Sequence, residues 1–253
     1  MAGMHRRGAT PARGAGPGPA RAAAKPGASG AGKGSLVLIG GRGCGKSSVA
    51  RRIAAVEKRF NVFSLDTLIQ YEAGGRAISD IVAEHGWHHF RDVEYEAARK
   101  AGAFDQWALI DGGGGVVVDL DADGNEVFSE RKVAALREHA LVVYLKRDCS
   151  YLEKRIAKKA AAEGGDSNRP TLSQELAFRE IMERRGPWYE EAADLVVDGM
   201  GDKGKPVEKR LLAWDILSWW YAASGMPVVE PLQALKNTQA YASVAELIVG
   251  GTR

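Results

Sequence analysis

The sequence predicts a three-layer α/β fold around a five-stranded parallel sheet. Three observations predict it. From Ser35 onward, short apolar runs alternate with longer amphipathic stretches, the pattern of βα units stacked around a sheet. A glycine-rich loop stands between the first apolar run and an amphipathic stretch beginning near Ser47. The apolar runs are short and nearly continuous, as strands covered on both faces require.

The expected strands are Leu36–Ile39, Val62–Leu65, Ala108–Ile110, Leu141–Leu145 and Leu195–Val197. A closing helix follows from Pro206 to about Ala223, where Leu211, Leu212, Trp214, Ile216, Leu217, Trp219 and Trp220 give a wide apolar face suited to packing on the sheet. Residues 224–253 form an extension with a possible second helix near Val244–Val249 and no assigned role. Before Ser35, residues 1–34 consist mainly of Ala, Gly, Pro and Arg and lack any apolar period, so they are read as disordered. Their spaced arginines and lack of acid suit an organelle transit peptide, and the missing apolar core of a signal sequence argues against secretion. A dispensable low-complexity tail is the alternative. The domain is thus expected over 35–223.

Charge and composition narrow the function. Of the 35 Lys and Arg, ten fall in residues 1–56 with no carboxylate beside them, and all 32 Asp and Glu lie beyond. The body is therefore acidic, which argues against charge-driven nucleic-acid binding. No apolar run approaches the ~20 residues needed to cross a bilayer, so no membrane partner is expected. Cys44 and Cys149 are too few for a disulfide framework or a zinc site, and a reducing compartment fits them. A monomer is expected.

Gly40-Gly41-Arg42-Gly43-Cys44-Gly45-Lys46-Ser47 fits G-x-x-x-x-G-K-S/T, with a strand before it and a helix after it. In such a loop, successive backbone N–H groups turn toward phosphate oxygens and the helix N-terminus adds partial positive charge. Gly43, Cys44, Gly45, Lys46, Ser47 and Ser48 are the expected ATP contacts: Lys46 neutralises the β- and γ-phosphates and the Ser47 hydroxyl is the Mg²⁺ ligand. Cys44 is read as an inert small residue at a variable position. The N-K-x-D signature that reads a guanine base is missing, so the loop serves something other than a GTPase.

Further along stand Asp66 after the second strand, Gly86-Trp87-His88-His89-Phe90-Arg91-Asp92-Val93-Glu94, Asp111-Gly112-Gly113-Gly114-Gly115-Val116 after the third, Arg169-Pro170-Thr171-Leu172, and Arg184-Arg185-Gly186-Pro187-Trp188-Tyr189. In that order, from Ser35 to Tyr221, they resemble the shikimate kinase family. The resemblance implies a nucleoside-monophosphate-kinase-like P-loop fold and transfer of phosphate from ATP, with Mg²⁺, to shikimate. It implies that Lys46 and Asp66 are catalytic, with Asp66 holding substrate hydroxyls and accepting the proton of the attacking one. It implies that Arg91 and Arg185 grip the substrate carboxylate, which suits planar guanidinium donors. Gly113, Gly114 and Gly115 would contact substrate, although the four-glycine run leaves the register open by one. Arg169 would close over ATP on a lid at about 158–172.

The departures from the family are informative. Ser64 stands where the family has the first of two aspartates, so the metal site is expected to be one charge short. Trp87 replaces a glutamate. An acidic insertion, Asp119 to Glu126, spaces Asp121, Asp123 and Asn125 like the start of a calcium loop but lacks its final glutamate and flanking helices, and is read as a turn or hairpin. His85, His88 and His89 are read as a solvent-facing or lid-contacting cluster rather than metal ligands. Two readings of function therefore stand: an active shikimate kinase of aromatic amino-acid biosynthesis, or a relative that binds nucleotide in a regulatory or plastid role after losing turnover. A kinase of gluconate or another polyol acid is a third, without support from the paired arginines. The expected compartment is the chloroplast stroma, with the cytoplasm as alternative.

Overall fold

The structure is a computed structural model and describes residues 21–25, 30–162, 178–201 and 204–228. Its central sheet has six strands. β1 (Arg21–Ala24), β2 (Gly34–Ile39), β3 (Asn61–Ser64), β4 (Gln106–Asp111), β7 (Ala140–Lys146) and β8 (Leu195–Asp198) are ordered β1-β8-β7-β2-β4-β3. The last five are mutually parallel and correspond one for one to the expected strands. A separate antiparallel hairpin, β5 (Val118–Leu120) and β6 (Glu126–Phe128), is formed by the acidic insertion, in keeping with the expected turn or hairpin.

Alternation along the strands sends side chains to two cores. On one face Leu36, Leu38, Leu141, Val143 and Leu145 meet Val49 and Ile53 of α1 (Lys46–Val56) and Leu212, Ile216 and Trp220 of α7 (Lys209–Ser224). On the other, Val37, Ile39, Ile110, Val142 and Tyr144 meet α2 (Leu65–Glu72), α3 (Ile78–Gly102), α4 (Glu130–Arg137) and α6 (Phe178–Ala192). α5 (Cys149–Ala162) follows β7. The closing helix behaves as its apolar face requires: Trp220 is fully buried and its indole N–H donates to the Ser35 carbonyl at 3.1 Å. Gly86, with φ 79° and ψ 173°, breaks α3 just before Trp87, so Phe90 and Arg91 lie on a fresh helical segment aimed at the sheet.

One expectation changes. Residues 21–24 pair antiparallel with β8, and Lys25 Nζ donates to the Glu191 carbonyl at 2.6 Å. Gly30 is buried against Leu141. A boundary at residue 34 therefore falls inside the packed structure. Three alanines and an arginine carry no apolar period to announce a strand; the exposed edge of β8 supplies the partner. The expected helix at 244–249, Arg169 and most of the expected lid lie outside the described residues. Among the described residues, no helix is long and apolar enough to cross a membrane.

Candidate active site

Five parallel strands in the order β8-β7-β2-β4-β3 reverse direction of winding at β2, and the crevice beyond their carboxyl ends is where an open α/β sheet binds ligands. The glycine-rich loop leaves β2 at that point. Gly45, at φ 108°, caps α1 in a left-handed conformation that a side chain would strain. Gly40, at φ 139°, passes so close to β7 that a Cβ would stand 2.8 Å from the Leu145 carbonyl. The loop can therefore turn its N–H groups outward only with glycine at these places.

A cleft of about 340 Å³ opens above the loop. Its floor is Gly43, Gly45, Lys46, Ser47 and Ser48; its walls are Ser64 and Asp66 at the β3–α2 turn, Asp111 at the end of β4 and Gly112 to Gly114 beyond it. Arg42, Arg51 and Arg155 stand around it, so with Lys46 four cations face two carboxylates. Such a balance suits a polyphosphate. Lys46 is buried, and its ammonium donates to the Gly40 carbonyl at 2.8 Å. Burial alone would lower its pKa, but Cys44, Asp111, Tyr189 and Asp66 outweigh it and raise the value, so the lysine stays charged.

Ser64 caps α2 by accepting the Thr67 N–H at 3.4 Å, and Asp66 lies in the first turn of that helix, where the dipole favours an anion. A Cβ on Gly113 would sit 2.9 Å from Asp66 Oδ1. Glycine there lets the carboxylate approach the backbone. The cleft is bordered by Gly112, Gly113 and Gly114, and Gly115 is not part of its wall: a Cβ at 115 would meet Arg91 Nη1 at 2.4 Å. Gly113 and Gly114 of the expected triplet thus border the cleft, and Gly115 lies against Arg91.

The two expected substrate arginines lie behind this wall. Arg91 is buried, donates to Glu94 Oε2 at 2.8 Å, and has its guanidinium 5.4 Å from the centroid of the Trp87 ring. Its Nε is buried without a partner among the described residues. Glu94 is shared with Lys132, whose Nζ donates to it at 2.7 Å. Arg185 is buried too. It forks onto Glu126 of the β5–β6 hairpin, with Nε 3.0 Å from Oε2, and donates to the Gly114 carbonyl at 3.2 Å. Tyr189 donates its hydroxyl to the same carbonyl. The guanidinium groups are therefore in place beside the glycine run, each already matched by a protein carboxylate.

Of the expected site residues, Gly43, Gly45, Lys46, Ser47, Ser48, Asp66, Gly113 and Gly114 line one cleft, whereas Cys44 is buried beneath it. Arg51, Arg155 and Asp111 join them without having been singled out. Arg51 and Arg155 carry no motif signal; Asp111 did stand at the end of a strand next to the loop strand, a position worth reading. His85, His88 and His89 are exposed, and no three His, Cys, Asp or Glu among the described residues could cage a metal.

A phosphate loop on the central strand, a buried lysine and a carboxylate facing a glycine wall define a nucleotide-dependent small-molecule kinase of the P-loop class. The comparisons with known proteins specify which. The family model "Shikimate kinase" matches residues 42–214. A shikimate kinase of Leptospira biflexa is 36% identical over 180 residues, covering 71% of this chain and 94% of the relative. One from Nitratidesulfovibrio vulgaris is 36% identical over 167 residues, covering 65% and 86%. In fold, the chain is similar to the Acinetobacter baumannii shikimate kinase solved in complex with shikimate, at TM-score 0.59 and 23% identity, covering 75% of this chain and 93% of that one. The Aquifex aeolicus shikimate kinase gives 0.55 at 21% identity, covering 76% and 99%. The chain belongs to the shikimate kinase family, and ATP is its co-substrate.

Proposed function

We propose that this protein transfers the γ-phosphoryl group of ATP to a hydroxyl of shikimate, giving shikimate 3-phosphate and ADP, and so serves aromatic amino-acid biosynthesis. The observation that carries the reading is the placement of Asp66, against Gly113, in a single cleft with Lys46 and Ser47. The loop N–H groups and Lys46 hold the β- and γ-phosphates. Asp66 orients the attacking hydroxyl and takes its proton as the new P–O bond forms and the bond to the bridging oxygen breaks. Arg42, Arg51 and Arg155 add cationic charge where phosphate charge gathers. Arg91 and Arg185 meet the substrate carboxylate, Arg185 by exchanging Glu126 for it.

The donors lining the cleft include hydroxyl and carboxylate oxygens, Ser47 and Ser48 with Asp66 and Asp111, which suits Mg²⁺. The Ser47 hydroxyl would hold Mg²⁺, which would supply neutralisation of the phosphate charge. Nothing in the geometry favours an impaired relative, since the loop lysine, the loop serine and the acceptor carboxylate are all together. The test is purified protein with ATP, Mg²⁺ and shikimate, gluconate and other hydroxy acids, followed by product detection. Transfer to shikimate alone is expected. Nucleotide binding without transfer to any acid would overturn the reading.

We also propose the chloroplast stroma as compartment, on the acid-free, arginine-bearing stretch before Arg21. A fluorescent fusion of the full chain should enter plastids, and one lacking residues 1–20 should stay in the cytosol. A cytosolic full-length fusion would refute it.

A further inference from the structure

The family resemblance puts a carboxylate where this chain has Ser64, and by sequence alone the metal site is one charge short. The sheet register gives a different account. Ser64 and Asp111 are partners across the β3–β4 ladder, side by side at the carboxyl ends of adjacent strands, and both border the phosphate cleft. Asp111 is 8% exposed, yet its carboxylate makes no hydrogen bond or ion pair with any described residue. Lys46 is the charged neighbour it influences, but the lysine's own hydrogen bonds go to the loop carbonyls of Gly40 and Gly41 and to Cys44 Sγ.

A nearly buried carboxylate with a charged neighbour but no hydrogen-bond partner among the described residues costs stability, and proteins keep such groups where a ligand offsets the cost. The open end of this one is the cleft where Ser47 and the nucleotide phosphates meet. Mg²⁺ bound with nucleotide uses one or two protein carboxylates together with phosphate oxygens and water, so a single acid in this place is sufficient. Asp66 is occupied with the glycine wall and the substrate hydroxyl. Ser64 is occupied in capping α2.

We propose that Asp111 supplies the protein carboxylate of the Mg²⁺ site, the charge having moved one strand across the sheet from the position of Ser64. The inference rests on the kinase reading above. It identifies Asp111 as a metal-binding residue and removes the apparent charge deficit.

The test measures metal binding rather than turnover. Mn²⁺, which accepts the same oxygen donors, is titrated into the protein with a non-hydrolysable ATP analogue, and free Mn²⁺ is read by electron paramagnetic resonance. Asp111→Asn should weaken Mn²⁺ binding by about 10–100-fold or more, because even the loss of an outer carboxylate has effects of that order. Its affinity for the analogue in EDTA should match wild type, which also certifies that it folds. The exchange variant Ser64→Asp/Asp111→Ser, which returns the carboxylate to the neighbouring strand, should hold Mn²⁺ within a few-fold of wild type. Equal Mn²⁺ affinity in wild type and Asp111→Asn overturns the proposal, as does failure of the exchange variant to bind Mn²⁺ while still binding the analogue. Failure of wild type to bind the analogue at all would instead overturn the kinase reading beneath it.

Discussion

Arg91, Glu94 and Lys132 form a charge cluster that is at most 4% exposed, with one acid between two bases. Glu94→Gln removes the anion that those two cations share and puts a neutral amide between them, with Asp119 3.9 Å from Lys132 Nζ as a weaker remaining partner. Breaking a buried pair in this way costs roughly 3–5 kcal/mol. In a domain of this size each kcal/mol is worth about 2–4 °C of melting temperature, so a drop of roughly 6–20 °C is expected. Lys132→Met has a smaller effect, because Arg91 and Glu94 remain a matched pair and the methionine stays apolar within the same packing. The loss there is the lysine's hydrogen bonds to Glu94 and the Val118 carbonyl, about 1–3 kcal/mol. Thermal unfolding at neutral pH followed by circular dichroism measures both. The pH dependence gives a second check. Burial opposes ionisation of Glu94, but Lys132 and Arg91 prevail and hold its pKa below the ordinary 4.5. A depressed carboxyl pKa contributes stability that is present above the unfolded value and lost as pH falls through the folded one. The gap between wild type and Glu94→Gln should therefore narrow in acid, below about pH 4.5. A Lys132→Met variant less stable than Glu94→Gln, or a gap that widens in acid, would refute the reasoning.

Glu126→Gln should weaken the fork that holds Arg185, lowering stability by about 1–3 kcal/mol and, by removing a competing carboxylate, lowering KM for shikimate at similar kcat; a raised KM would show that Glu126 orients the arginine instead. Lys46→Ala should abolish the thermal stabilisation that ATP confers, since the loop's one buried cation is lost, and equal stabilisation of variant and wild type would count against the loop assignment.

The five parallel strands, the closing helix, the phosphate loop and the hairpin of the acidic insertion were legible because each is written in a local pattern: an apolar run, a helical stripe, a glycine spacing, a turn. Asp66 was legible through the family order of motifs. What sequence reasoning left out depends on which residues meet across the chain. β1 exists because β8 offers an open edge, and nothing in Arg21–Ala24 states that. The carboxylates of Glu94 and Glu126 lie respectively in the helix of Arg91 and on a distant hairpin, and only packing shows that both arginines come already matched. The apparent loss of charge at Ser64 has the same origin. A linear sequence compares Ser64 with its own neighbours, 64 to 66, whereas the sheet pairs it with Asp111, 47 residues on. By itself, then, the sequence determined the fold class, the phosphate loop and the family, since these follow from periodicity and motif spacing. Strand register and the pairing of buried charges were decided only by the tertiary structure, because long-range contacts alone determine which side chains share a desolvated space.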